Sequence, residues 1–206
     1  MKLVHDASAA ASAFRHRLLQ TVDQYRDSGA ITHPNGTISI GKIPGREKWF
    51  LIHLYAGLAD DEIRKIESRL DRRLPGQLRE FYRQFNGMTL FGAGQVQIWG
   101  LRGEARMDMP NYQPISITTG HTDTYAELQH VPDDALFFGG YFGHYFYASS
   151  QRGGVFACKQ YDGAPVADWP GIYDMLIDIC ERLSRWFDHT TLPVDKAVNE
   201  RPVLFS

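Results

Sequence analysis

The repeat of apolar residues changes from helical to alternating along this chain, and that change restricts it to folds that combine helices with a sheet. From Asp60, the residues Ile63, Ile66 and Leu70 share one helical face. Asp60, Asp61 and Glu62 open that helix and Arg69, Arg72 and Arg73 close it, the charge order that suits a helix dipole. Leu74-Pro75 stops it, and Pro75 can sit in the first turn of a second helix whose stripe is Leu78, Phe81, Tyr82 and Phe85. Asn86-Gly87 tolerates positive φ and is read as the end of that second helix. Beyond it the period becomes two: residues 95–99 and 115–118 alternate and read as strands, followed by strands at 135–138, 144–148 and 155–160. The last two are joined as a hairpin across 149–154, and residues 119–128 suit a short helix. Asp168 and Pro170 announce a final helix, in which Ile172, Leu176, Ile179 and Leu183 keep a helical spacing towards Trp186.

The amino-terminal part reads as an amphipathic helix over 6–28, with Ala10, Phe14, Leu18, Val22 and Tyr25 on one face and Gly29 closing it. Residues 30–48 hold Pro34, Gly36, Gly41, Pro44 and Gly45 and read as loop with one short strand at 38–40. A buried strand follows at 49–55, and the tail from His189, with Pro193 and Pro202, reads as irregular. This order predicts an α+β fold, an antiparallel or mixed sheet covered by helices on one side.

At 206 residues with 43% hydrophobic content, the chain can bury a substantial single core. A formal charge of -2 removes the basic excess that a general nucleic-acid binder uses against phosphates, so no direct nucleic-acid partner is expected. Cys158 and Cys180 are the only cysteines, too few for a disulfide framework, which fits a reducing cytoplasm. Residues 7–13 lack the apolar core of a signal peptide, and no run reaches the about 18 apolar residues of a membrane span. The expected location is therefore cytoplasmic, without membrane association.

Chemistry-bearing motifs are sparse. His121, Asp123 and His130 do not form a metal-ligand spacing, and His144 lies inside an aromatic strand as a packed neighbour. No GxSxG elbow, Walker loop or GxGxxG occurs; Gly92-Ala93-Gly94 has the wrong continuation, and Gly139, Gly140 and Gly143 relieve crowding in a bent strand. The pairs Asp60-Asp61 and Asp133-Asp134 suit a helix start and a loop. The expectation is a chain with no catalytic residue, no cofactor and no metal site.

The segment Ile66-Glu67, Leu70, Leu74-Pro75, Leu78, Phe81-Tyr82, Phe85, Asn86-Gly87 resembles the opening of the SUKH superfamily, named for a yeast cell-wall-synthesis regulator and its relatives. There a helix with an internal glutamate leads through a Leu-Pro corner and a second helix to an Asn-Gly turn into the sheet. The strand ending at Trp99, the turn at Gly153-Gly154 and the closing helix begun near Trp169 agree. The resemblance covers 58–188, so the expected division is a helix and linker extension at 1–57, a SUKH-like domain at 58–188 and a tail at 189–206. Leu74, Pro75, Asn86, Gly87, Trp99 and Trp169 are read as structural, and Gly87→Val is expected to cost on the order of 1 kcal/mol or more.

The resemblance implies a non-catalytic protein-binding domain: an immunity protein that binds a cognate bacterial toxin, frequently a nuclease. The alternative it implies is a regulatory or scaffolding adaptor with several partners, and an uncharacterised enzyme ranks third. One region fits the first reading. Residues 107–151 contain no lysine or arginine, five acids (Asp108, Asp123, Glu127, Asp133 and Asp134) and nine aromatics, whereas residues 1–57 carry a net charge of +3. An acidic, tyrosine-rich face would steer and hold a basic partner, and Asp123, Glu127, Asp133, Asp134, Tyr141 and Tyr145 are the candidate contacts.

Overall fold

A computed structural model describes residues 3–45, 49–91, 96–103, 113–186 and 205, and organises them around one nine-stranded antiparallel sheet with strands side by side in sequence order. Helix α1 (Leu3–Asp23) comes first, and a 3-10 turn (Arg26–Ser28) ends at Gly29 with φ +115°. Strands β1 (Ala30–Thr32), β2 (Ile38–Lys42) and β3 (Phe50–Ala56) form the first antiparallel ladders. Helices α2 (Asp60–Leu70) and α3 (Gly76–Gln84) lead to β4 (Phe85–Leu90) and β5 (Val96–Ile98). Helix α4 (Ile117–Glu127) leads to β6 (Leu136–Tyr141), β7 (His144–Ser149), β8 (Gly154–Lys159) and β9 (Asp162–Trp169), and α5 (Ile172–Trp186) closes the order. The α+β class with an antiparallel sheet is therefore what these residues form.

Register sorts the side chains into two faces. Directly opposed residues share a face, and the row Leu54, Met88, Ile98, Gly139, Phe146, Ala157 runs across six strands with no polar side chain. Trp169, opposite Val155 on this side, donates its indole N–H to Asp178 of α5 at 3.1 Å. This is the face packed by α5, against which Phe14, Leu18 and Val22 of α1 are buried at the spacing predicted for an amphipathic helix. The opposite row reads Ile31, Ser39, His53, Thr89, Gln97, Gly140, Tyr145, Cys158. It is polar over β2–β5 and aromatic beyond, where Phe137 meets His121 and Tyr125 of α4. Helical cover on the α5 face is thus joined by α4 on the other.

The internal glutamate of the motif is a buried joint. Glu67 accepts the Leu74 N–H at 3.1 Å and both carboxylate oxygens take Arg79 Nη1, at 3.1 and 3.0 Å. One carboxylate so holds α2, the Leu-Pro corner and α3 together. Pro75 sits at the N-cap of α3, where its missing N–H costs nothing.

Several elements differ from the sequence expectation. Asn86-Gly87 does not end α3, which stops at Gln84; both residues lie in β4. Gly87 does have positive φ, +82°, and a Cβ there would also be driven into the Ile98 carbonyl oxygen of the neighbouring strand. Residues 115–118 are not a strand: Ser116 caps α4 by accepting the Thr119 N–H, and Ile117 begins the helix. Strand β1 was hidden by its brevity and full exposure, and β9 by Gly163 and Pro165, which only an edge strand tolerates. Gln95, Gly92-Ala93-Gly94 and residues 189–204 of the expected tail lie outside the described residues.

Candidate functional site

Helix α4 is short of apolar residues and depends on the sheet for its place. Its seat is Trp99, at the end of β5: the indole packs so closely beneath Gly120 that a Cβ there would lie 2.7 Å from the ring. Tyr82 donates to the Trp99 carbonyl at 2.8 Å, and Asn86 pairs with Leu101 through Nδ2 to the carbonyl at 2.8 Å and Oδ1 from the N–H at 2.6 Å. The parallel bridge between Gly100 and Ser116 then starts α4. A second anchor is His121, whose Nδ1 accepts the Phe137 N–H at 3.2 Å where the β6–β7 register shifts. That geometry requires a neutral ring with its proton on Nε2, and burial, with the nearby Arg72 charge, lowers its pKa to about 4.

The candidate contacts separate once placed. Asp123 and Glu127 are four apart on α4 and both exposed, so they present carboxylates on one outward helical face. Asp133 is also exposed, on the loop that follows. Asp134 instead closes the β7–β8 turn, accepting the Ser149 hydroxyl at 2.9 and 3.0 Å and the Gln151 N–H at 2.8 Å. Burial acts to raise its carboxyl, but these donors outweigh it and hold the group below the ordinary range. Tyr145 is half-buried beside Trp99 and Phe137, its phenol raised first by burial and then by Glu127. Tyr141 is only 4% exposed. Phe137, Phe138, Phe146 and Tyr147 are fully buried, so the aromatic richness of this region is mostly core and does not supply a surface of tyrosine anchors. Asp108 and Tyr112 lie outside the described residues.

Sequence reading missed a buried polar row on the α4 side of β1–β3. His33 Nε2 lies 2.8 Å from Ser39 Oγ, which lies 2.8 Å from His53 Nδ1. The signal was there: Ser39 and His53 interrupt otherwise apolar strands at directly opposed positions. Burial, with the neighbouring His33, lowers His53 to about 4. Ser39 has no exposed surface, so no substrate reaches its hydroxyl in this arrangement.

A polar cavity of about 330 Å³ opens between the end of β3, the start of α2 and the residues Leu101, Gly103, Gln113 and Pro114. Glu62 is the only charged residue among its described lining, and its carboxylate already accepts the Ala59 N–H at 2.9 Å. Among the described residues no three of His, Cys, Asp and Glu are placed to hold a metal ion. Cys158 and Cys180 are free and buried, which pushes both thiols up to about 12. No helix among the described residues is long and apolar enough to cross a membrane.

The model of the SMI1 / KNR4 family (SUKH-1) matches residues 57–188. The chain belongs to this family. Comparison with curated proteins finds no match. The SUKH-1 segment thus runs from the start of α2 through α5, while β1–β3, which precede or border it, complete the same sheet. The residues that carried the resemblance have structural work to do in it: Glu67 and Pro75 set the helical corner, Asn86 and Trp99 fix the entry to α4, and Trp169 holds α5.

The two histidines give a pH dependence of stability. Both have folded pKa values below the ordinary 6.5, so the unfolded chain takes up protons first as pH falls. The contribution of His53 and His121 is intact above about pH 6.5, declines below it and is exhausted near pH 4, at up to about 3 kcal/mol per histidine before solvent screening reduces it. Urea midpoints measured between pH 7.5 and 4.5 should fall steadily, and a flat profile would show that neither ring is held neutral.

Proposed function

We propose that this chain is a non-catalytic immunity protein that binds and neutralises a cognate bacterial toxin with a basic surface, as a nuclease has. The observation that carries the reading is the outward acidic face of α4, Asp123 and Glu127, with Asp133 beside it, on a SUKH-1 domain. A nuclease cleft is positively charged to hold phosphate. An acidic face is steered towards it and fits it by charge, and such steering acts mainly on association. In this reading residues 58–188 form the binding domain, 1–57 extend it, 189–206 form the tail, and the protein acts in the cytoplasm. Tyr145, half-buried under α4 beside Glu127, supports the helix from below.

The absence of catalysis rests on a physical argument. Among the described residues, the nearest arrangement to a nucleophile with a base is Ser39 between His33 and His53, and the hydroxyl is enclosed by its partners. Hydrolase, transferase and nuclease assays on the purified chain should give no turnover; a turnover abolished by Ser39→Ala, His121→Ala or His144→Ala would refute this part.

The test of the whole proposal is co-expression with the toxin encoded by a neighbouring reading frame. The chain should protect growth and purify with the toxin as a tight complex of fixed stoichiometry. An adaptor would instead capture several partners weakly and give no protection.

A further inference from the structure

The β8–β9 turn is clamped to the end of α4. Gln129, just past that helix, forms a parallel bridge with Asp162, and the Gly163 N–H donates to the Gln129 carbonyl at 2.6 Å. His130 Nδ1 lies 3.3 Å from Asp162 Oδ1. On the other side of the turn, the Gln160 N–H donates to the Gly143 carbonyl at 2.6 Å. Both joined segments carry strained backbone. Among the described residues, four non-glycine positions have positive φ: Asp71 caps α2, Phe91 is buried, and His130 (+54°) and Tyr161 (+76°) belong to this clamp.

Tyr161 is the third residue of the turn from Lys159 to Asp162, whose ends pair in the β8–β9 ladder. Positive φ in that place suits glycine or asparagine and strains a bulky residue. The ring adds little to the core in return: Tyr161 is 66% exposed, the most exposed large hydrophobic side chain among the described residues. An exposed ring held at a strained position is accounted for by binding better than by folding.

The surroundings indicate what the ring meets. The phenol of Tyr145, under α4, is raised first by burial and next by Glu127, and Tyr161 acts on it in the same direction. Glu127 and Tyr161 therefore lie within electrostatic reach of one ring. Lys159 and Asp162 flank Tyr161 and offset each other in charge, Asp162 being held below the ordinary range first by the Ala164 N–H and then by His130. The exposed carboxylates of Asp123 and Glu127 thus set the sign of the surface beside the turn.

We propose that Tyr161 is the aromatic anchor of the partner-binding face, inserted among arginine or lysine side chains of a basic toxin while Asp123 and Glu127 meet its charge. The inference rests on the α4 reading and deepens it: the acids steer and the ring holds. A cation over a tyrosine face is attracted by the ring's quadrupole, and a ring on a clamped backbone loses little freedom on binding. Such anchors act mainly on dissociation.

The test is binding kinetics with the toxin encoded by the neighbouring reading frame, for the native chain, Tyr161→Gly, Tyr161→Phe and Asp123→Lys with Glu127→Lys. Tyr161→Gly should fold with a urea midpoint at or above the native one, because relief of the strained φ offsets the extra freedom of glycine in the unfolded chain. It should dissociate at least about tenfold faster, with association and its salt dependence within about threefold of native. Tyr161→Phe keeps the ring and should dissociate within about threefold of native. Unchanged dissociation of Tyr161→Gly, while the lysine variant slows association, overturns the anchor and leaves the α4 reading standing. Unchanged kinetics in both variants removes both. A urea midpoint of Tyr161→Gly well below native also overturns the proposal, since the ring would then serve the fold. Without any substitution, tetranitromethane should nitrate Tyr161 in the free chain and spare it in the complex; equal nitration of Tyr161 in the two overturns the proposal.

Discussion

Replacing Gly87 by valine is expected to destabilise the protein by about 4 kcal/mol or more, enough to threaten folding altogether. Two costs combine. At φ +82° a β-branched side chain is strained whatever space surrounds it. Its Cβ would also collide with the Ile98 carbonyl oxygen and lie 3.1 Å from the Trp99 carbonyl group, both backbone and so unable to swing aside. The sequence alone supports only the first cost, on the order of 1 kcal/mol, because the close approach of β5 is a tertiary fact. Gly87→Ala should lose most of the same stability, since the collision already begins at Cβ. Urea denaturation of both variants measures this; a loss near 1 kcal/mol for valine would mean that β4 and β5 separate readily and that the contact is not a constraint.

Trp99→Ala should cost about 4 kcal/mol, the ordinary range for deleting a buried aromatic side chain. The residue is 6% exposed and carries Gly120 directly on its ring, with Tyr145 at 6.3 Å. Its loss removes the seat of α4, so the effect should not be confined to global stability. Hydrogen exchange of α4 amides should accelerate in the variant more than exchange in α5, which packs on the other face. Uniform acceleration in both helices would show that α4 does not depend on Trp99. Trp99→Phe, which retains a ring, should recover about half of the stability.

These two residues show where sequence reading succeeds and stops. The helices α2, α3 and α5 were legible by their apolar spacing, and α2 also by its terminal charges, with Ile63, Ile66 and Leu70 between an acidic start and Arg69. Asn86-Gly87 announced positive φ correctly, but the same dipeptide serves a helix end and a strand in close contact, and only the neighbouring Ile98 decides between them. Ser116 alternates with Ile115 and Ile117 as a strand would, yet its hydroxyl caps a helix, because Gly100 pairs beside it and turns the chain. At the candidate site the acids were legible and the aromatics were not. A carboxylate without a partner must face water, as Asp123 and Glu127 do. A run of rings has no such obligation: the register shift in β6 and the cover from both α4 and Phe205 bury Phe137, Tyr141 and Phe146 on opposite faces. The row His33, Ser39, His53 escaped notice because Ser39 meets His33 across the β1–β2 turn and His53 through the pairing of β2 with β3, two local pairings that the spacing of these residues does not announce.

The central claim is that the outward face of α4 binds a basic protein partner. Its most direct measurement is association and dissociation kinetics with the cognate toxin at low and high salt, for the native chain and for Asp123→Lys with Glu127→Lys. Both positions are exposed and four apart on one helix, so the double variant should fold as the native chain does. Association at low salt should slow by at least tenfold and lose most of its salt dependence, with dissociation changing less. Unchanged association at both salt concentrations, in a variant with native stability, would contradict the account and remove α4 as the binding face.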